Sequence, residues 1–213
     1  MTLARVSLAV ALVTAVGTGN AQAGPPEKTT SRFRGLEGYA SFSQSDGCTY
    51  SYIDVYAIEE MLQSGPGGPV PTAYTAVFLN SWDWCTGQNS GGYGWDTGAV
   101  IRGSAVQSLA TEATIPMTVC SSGPPDWQPT CASRTLLVDL AWAANGETAS
   151  HGQSTRHTSS PYMTVHSRSV GSMTTADVAG TLLLDGTDLL ATMTWRAGGL
   201  SRTREGEITF IRY

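Results

Sequence analysis

Strict alternation between two kinds of side chain, broken at short intervals by turn residues, constrains this chain more than any other feature. In "CTYSYIDVYAI", Ile53, Val55 and Ala57 fall on one side of an extended strand and Tyr50, Tyr52, Asp54 and Tyr56 on the other. Successive side chains of a strand point to opposite faces, so this segment has an aliphatic face and an aromatic face carrying a carboxylate. The same period recurs around 99–108, 114–120, 134–143, 162–169, 178–184, 189–195 and 207–213. Asp46-Gly47 and Asp185-Gly186 supply the positive φ angles of tight hairpin turns, and Asn145-Gly146 marks another turn. Only "IEEML", 58–62, reads as a helical turn. About ten strands without intervening helices predict an all-β fold. Both sheet faces need cover, so a two-layer antiparallel β-sandwich is favoured and a closed β-barrel is the alternative.

The first 23 residues read as an export signal: Arg5, the short apolar run "VSLAVALVTAV", and Ala21-Gln22-Ala23 before a cleavage point. The mature chain then begins near Gly24, with residues 24–31, "GPPEKTTS", as a mobile lead and 32–213 as one β domain. No later run reaches the roughly 20 apolar residues of a membrane-spanning helix. The expected product is secreted and extracytoplasmic. Without Arg5, 11 Lys and Arg face 17 Asp and Glu, a net charge of −6, with the basic residues scattered singly. Phosphate-backbone binding needs a concentrated basic surface, so nucleic acid is not the expected partner.

Four cysteines in an exported chain make two disulfides. Cys120 and Cys131 flank "SSGPPDWQPT", a loop with three prolines between apolar runs, and a bridge there clamps the loop's base. Cys48 is left to pair with Cys85, which requires a bulge, a strand end or facing sheets. C-x-x-C spacing is absent, so no thiolate metal site is expected.

"SDGCTYSYIDVYA", "AVFLNSWDWCTG" and "LLVDLAWAANGE" followed by "RHTSSP" resemble the successive landmarks of a group of uncharacterised secreted bacterial proteins of similar length. The resemblance covers most of the mature domain and implies export and a β domain, with no activity attached. Cys120 and Cys131 stand outside it.

The segment "SWDWCTGQNSGGYGWD", Ser81 to Asp96, concentrates three of the six tryptophans. A hairpin turning at Gln88-Asn89 sets Trp82 opposite Trp95 and Trp84 opposite Tyr93, four rings on one face. Such a cluster either packs the hairpin or, if it faces outward, forms a platform for the apolar face of a sugar, helped by the Gln88 and Asn89 amides. Tyr50, Tyr52 and Tyr56 form an auxiliary aromatic face. The same register makes Asp83 and Asp96 diagonal neighbours, the one carboxylate pair suited to glycoside hydrolysis, although turn capping explains each equally well. His151, His157 and His166 follow no metal-ligand spacing, and Asp185-Gly186-Thr187-Asp188 lacks the later ligands of a calcium loop. There is no G-x-S-x-G, H-E-x-x-H, phosphate loop or dinucleotide fingerprint, and no cofactor or metal is expected. Three functions follow: a non-catalytic carbohydrate-binding or cell-envelope module using Trp82, Trp84, Tyr93, Trp95, Gln88 and Asn89; a glycan hydrolase using Asp83 and Asp96; or a structural domain that meets only protein partners.

Overall fold

A computed structural model describes residues 27–64, 66–104, 106–160 and 163–212. Its strands are β1 (Glu27–Ser45), β2 (Thr49–Ser64), β3 (Val70–Asp83), β4 (Asn89–Asp96), β5 (Val100–Ser104), β6 (Ser108–Ser122), β7 (Thr130–Ala144), β8 (Ala149–Ser159), β9 (Met163–Leu184), β10 (Thr187–Asp188) and β11 (Trp195–Arg212). The expected signal, 1–23, and residues 24–26 of the lead lie outside the described residues. Residues 27–31 of that lead are strand: they pair with 208–212 of β11, and Thr30 bonds Thr209 at 3.1 Å while Ser31 bonds Ser64 at 2.7 Å.

The fold is all-β and sandwich-like, one antiparallel sheet of eleven strands. Hydrogen bonding runs β9-β11-β1-β2-β3-β4-β6, and β7 pairs with both β6 and β9, so the path returns on itself. β5, β8 and β10 stand off this ring, and it is not a regular barrel. The two layers meet directly. At Gly38 of β1 an added Cβ would lie 3.1 Å from both Leu109 of β6 and Trp142 of β7, and the Trp142 indole donates to the Tyr39 carbonyl at 2.8 Å.

Alternation fixes what lies between the layers. Phe42 from β1, Ile53 and Val55 from β2, Val77 from β3, Ile115 from β6, Leu136 and Leu140 from β7 and Leu182 from β9 are buried with Trp142 in one apolar cluster. Burial of such side chains contributes roughly 1.5–3 kcal/mol each before chain entropy is counted. The buried Thr75 and Thr111 hydroxyls satisfy each other at 2.7 Å across β3 and β6.

Three local expectations are corrected. "IEEML" is the continuation of β2, because pairing on both sides, Ile58 with Glu37 and Tyr74, overrides its helical propensity. Asn145-Gly146 does not reverse the chain; β8 resumes along the same edge of β9 that β7 occupies, so the polar stretch after it is edge strand. Leu189–Thr192 is a 3-10 turn capped by Asp188, whose carboxylate accepts from the Leu190 N–H at 2.9 Å. Among the described residues no helix is long and apolar enough to cross a membrane.

Candidate functional site

The two disulfides are Cys48–Cys85 and Cys120–Cys131. The first joins residues just past the ends of paired strands, where Thr49 faces Asp83. The second links directly opposed residues of β6 and β7 below the loop 123–129. Both stand at the same end of the molecule, together with the turn 84–88 and the loop 123–129.

The hairpin at 81–96 has a register different from the expected one. β3 and β4 pair Trp82 with Asn89, Phe78 with Tyr93 and Ala76 with Trp95. The turn is longer than two residues because Asp83 caps it: its carboxylate accepts the N–H groups of Cys85 at 2.8 Å and Thr86 at 3.0 Å, and Gly87 takes a positive φ of 74°. Those bonds, the Thr86 backbone N–H foremost, hold the Asp83 carboxyl below its ordinary range. Trp84 therefore sits in the turn and does not face Tyr93.

This register separates Asp83 from Asp96. Asp96 pairs with Thr75, eight positions before Asp83 along β3, a distance of roughly 26 Å at ~3.3 Å per residue. Glycoside hydrolysis needs carboxylates within about 10 Å. Asp96 also has a turn role, accepting from the N–H groups of Gly98 at 2.7 Å and Thr114 at 3.3 Å. The Asp83–Asp96 pair is not a catalytic dyad.

The corrected register places the aromatic residues on the outward face in a defined grid. Reading across β1, β2, β3 and β4, the rows are Tyr39, Tyr56, Ala76, Trp95; Ser41, Asp54, Phe78, Tyr93; Ser43, Tyr52, Asn80, Gly91; and Ser45, Tyr50, Trp82, Asn89. Trp84 is 66% exposed, Tyr93 58%, Trp95 44% and Trp82 36%, against 1% for Trp142 in the core. Tyr93 and Trp95 stack at 5.9 Å and 16°, and Tyr50 stacks on Trp82 at 6.3 Å and 12°. Tyr52 leans on Trp82 at 5.7 Å, Tyr39 on Tyr56 at 5.2 Å, and Tyr56 meets Phe78 edge-on at 6.1 Å. Trp195, opposite Ser43, extends the aromatic face onto β11.

A cleft of about 350 Å³ opens on this face between Asn80, Trp82, Asn89, Gly91, Ser122 and Pro129. Gly91 contributes backbone without a side chain to its lining, beside Asn80. Asn89 and Ser122 are joined at 2.7 Å, the hydroxyl donating. Nearby, the turn 84–88 packs through Gly87 against Pro124 and Trp127 of the loop 123–129. Of the expected binding residues, Trp82 and Asn89 line the cleft and Tyr93 and Trp95 stand beside it. Trp84 and Gln88 lie outside the cleft lining, in the turn 84–88, with the Trp84 N–H on the Cys48 carbonyl and Gln88 against Gly123. Asn80, Phe78, Ser122, Trp127 and Trp195 escape a linear reading of the chain, because only pairing brings them together.

At the other end of the grid the carboxylates gather. The Tyr39 hydroxyl donates to Asp54 at 3.2 Å, and Ser201 donates to Glu37 at 3.4 Å. Burial, then the charge of Asp54, pushes the Tyr56 hydroxyl up to about 12; burial, then Glu60 and Glu37, does the same to Tyr74. Burial and then Glu37 raise Glu60.

His157 and His166 face each other across β8 and β9 with rings 4.4 Å apart, while the His151 side chain lies outside the described residues. Among the described residues no three His, Cys, Asp or Glu side chains gather to hold a metal. Comparison with protein-family models, curated proteins and solved structures finds no match to the chain.

Proposed function

We propose that the chain is an exported, non-catalytic binding domain that takes a polysaccharide or cell-envelope glycan on the outward face of β1 to β4. One observation carries the reading: the stacked, solvent-facing Tyr93 and Trp95 lie on the same face as the cleft beside Trp82. Contiguous exposed aromatic surface on a folded domain is costly to leave in water and marks a contact surface. Flat rings cover the apolar face of a sugar, while Asn80, Asn89 and Ser122 offer amide and hydroxyl partners to its hydroxyl groups. Two disulfides, together with the signal-like first 23 residues, support export into an oxidising compartment.

The test is depletion of the oxidised domain, 24–213, by a panel of insoluble and immobilised polysaccharides and cell-wall fractions. Selective retention is expected, reduced at least tenfold by Trp95→Ala and by Trp82→Ala with the thermal midpoint nearly unchanged. Retention indifferent to both substitutions, or no retention of the native protein by any fraction, refutes the reading.

A further inference from the structure

The aromatic face has a charge pattern that narrows what it can hold. From the row of Glu37, Ile58 and Tyr74 to the row of Ser45, Tyr50 and Trp82, the outward residues of β1 to β4 include two carboxylates, Glu37 and Asp54, and Glu60 lies one row beyond. Among the described residues of those rows there is no Lys or Arg. Among the described residues the ion pairs, such as Arg32–Glu207 and Arg102–Glu112, engage neither Asp54 nor Glu60. Asp54 sits between Tyr39, Tyr56 and Phe78, and the Tyr39 hydroxyl fixes its orientation. Aromatic faces present negative charge to a cation, and a carboxylate at their centre adds to the attraction.

We propose, resting on the glycan-binding reading above, that the ligand is a cationic glycan whose sugars carry free amino groups. Tyr93 and Trp95 stack against one sugar ring, and the ammonium of a neighbouring sugar lies over Tyr39, Tyr56 and Phe78 against Asp54. Asp54 and Tyr93 are separated by β3 alone, about 10 Å at ~4.8 Å per strand, the span of adjacent sugars in one chain. A neutral glycan offers these carboxylates hydroxyl hydrogen bonds without the charge attraction that an ammonium adds, and an anionic one is repelled by them. Burial is the main reason the Tyr56 and Tyr74 hydroxyls are raised, and the charges of Asp54, for Tyr56, and of Glu60 and Glu37, for Tyr74, add to it.

The experiment titrates the oxidised domain with a β-1,4-linked glucosamine hexamer, with its fully N-acetylated counterpart and with a hexalysine peptide, at a pH where the free amines are protonated. The glucosamine hexamer is expected to bind roughly fivefold or more tighter than the N-acetylated one, with the preference falling as salt rises. Asp54→Asn, which keeps the side chain's volume, should abolish the preference, while Glu147→Gln at an exposed position off this face leaves it intact. Trp95→Ala should weaken both hexamers. Circular dichroism of each variant separates loss of binding from loss of fold. Equal affinity for the two hexamers, or a preference that survives Asp54→Asn, overturns the inference and leaves the glycan platform standing. Binding of neither hexamer while another polysaccharide is retained has the same consequence, whereas no retention of any glycan removes both. Hexalysine bound as tightly as the glucosamine hexamer, and indifferently to Trp95→Ala, overturns the inference in favour of a basic polypeptide.

Discussion

Replacing Trp142 by Phe tests the division between core and platform. Of the six tryptophans, all at described positions, Trp142 alone is buried; it crosses from β7 to β1, packs over Gly38 and donates to the Tyr39 carbonyl at 2.8 Å. Phenylalanine leaves roughly 40 Å³ unfilled, about 1 kcal/mol at ~24 cal/mol per Å³. The lost hydrogen bond adds about 1 kcal/mol. A total of about 2 kcal/mol lowers the thermal midpoint of a domain this size by roughly 4–8 °C. Thermal and urea unfolding followed by far-ultraviolet circular dichroism read that change, and tryptophan emission gives an independent second reading. The native protein should show a component that acrylamide does not reach, and Trp142→Phe should remove it while emission from the five outward rings stays quenchable. Glycan retention should survive, because nothing on the outward face has changed. A midpoint shift below about 1 °C, or a quencher-resistant component that persists in the variant, would show that Trp142 is not sealed between the layers and that the assignment of faces is wrong.

Replacing Cys48 and Cys85 together by Ala should cost about 4 kcal/mol in the chain-entropy account, against about 3 kcal/mol for Cys120 and Cys131, because the sequence separations are 37 and 11. Denaturant midpoints of the two double variants check the order, and the first should also loosen the turn at 84–88 and weaken binding. Glu60 has a folded-state pKa raised by burial and by Glu37. Its contribution is therefore fully present below the pKa of the unfolded chain and lost as pH rises through the folded one. Glu60→Gln should raise the melting temperature at pH 7 and leave it unchanged at pH 3; an unchanged melting temperature at pH 7 contradicts the assigned burial.

Much of the fold is legible in the chain, because strand period and turn chemistry are local. The opposite faces of Ile53 and Tyr52, the Asp46-Gly47 and Asp185-Gly186 turns and the cysteine pairing all follow from spacing, and the structure keeps them. What fails depends on partners far along the chain. Ile58 to Leu62 look helical until β1 and β3 pair on either side of them. That β8 continues β7 against β9, and that this pairing brings the sheet back on itself, depends on residues whose proximity no local pattern announces. The hairpin at 81–96 shows how a local rule misleads: Gln88-Asn89 looked like the turn, but Asp83 and Gly87 supply the capping carboxylate and the positive φ, and they set a longer one. That shift dissolved the Asp83–Asp96 pair and moved Trp84 off the grid, while Trp82, Tyr93 and Trp95 stayed on it.

The arrangement of the two faces also explains why binding should reside outside the sandwich and not within it. Small residues bring the backbones close on the inner side: Gly38 lies under Trp142, and Gly94 faces Ile115 and Met117 so closely that a Cβ would come within 2.7 Å of each. At these positions the space between the layers is filled, as in a close-packed core. On the outward face the residues of β1 to β4 stand in adjacent rows, Tyr39 and Tyr56 in one and Phe78 and Tyr93 in the next. An open series of such rows suits a polymer lying across strands better than a small molecule needing enclosure. If so, affinity should climb with oligomer length until the chain spans from Asp54 to the Trp82 cleft and then level off, whereas a pocket for a single sugar would show no gain beyond the monomer.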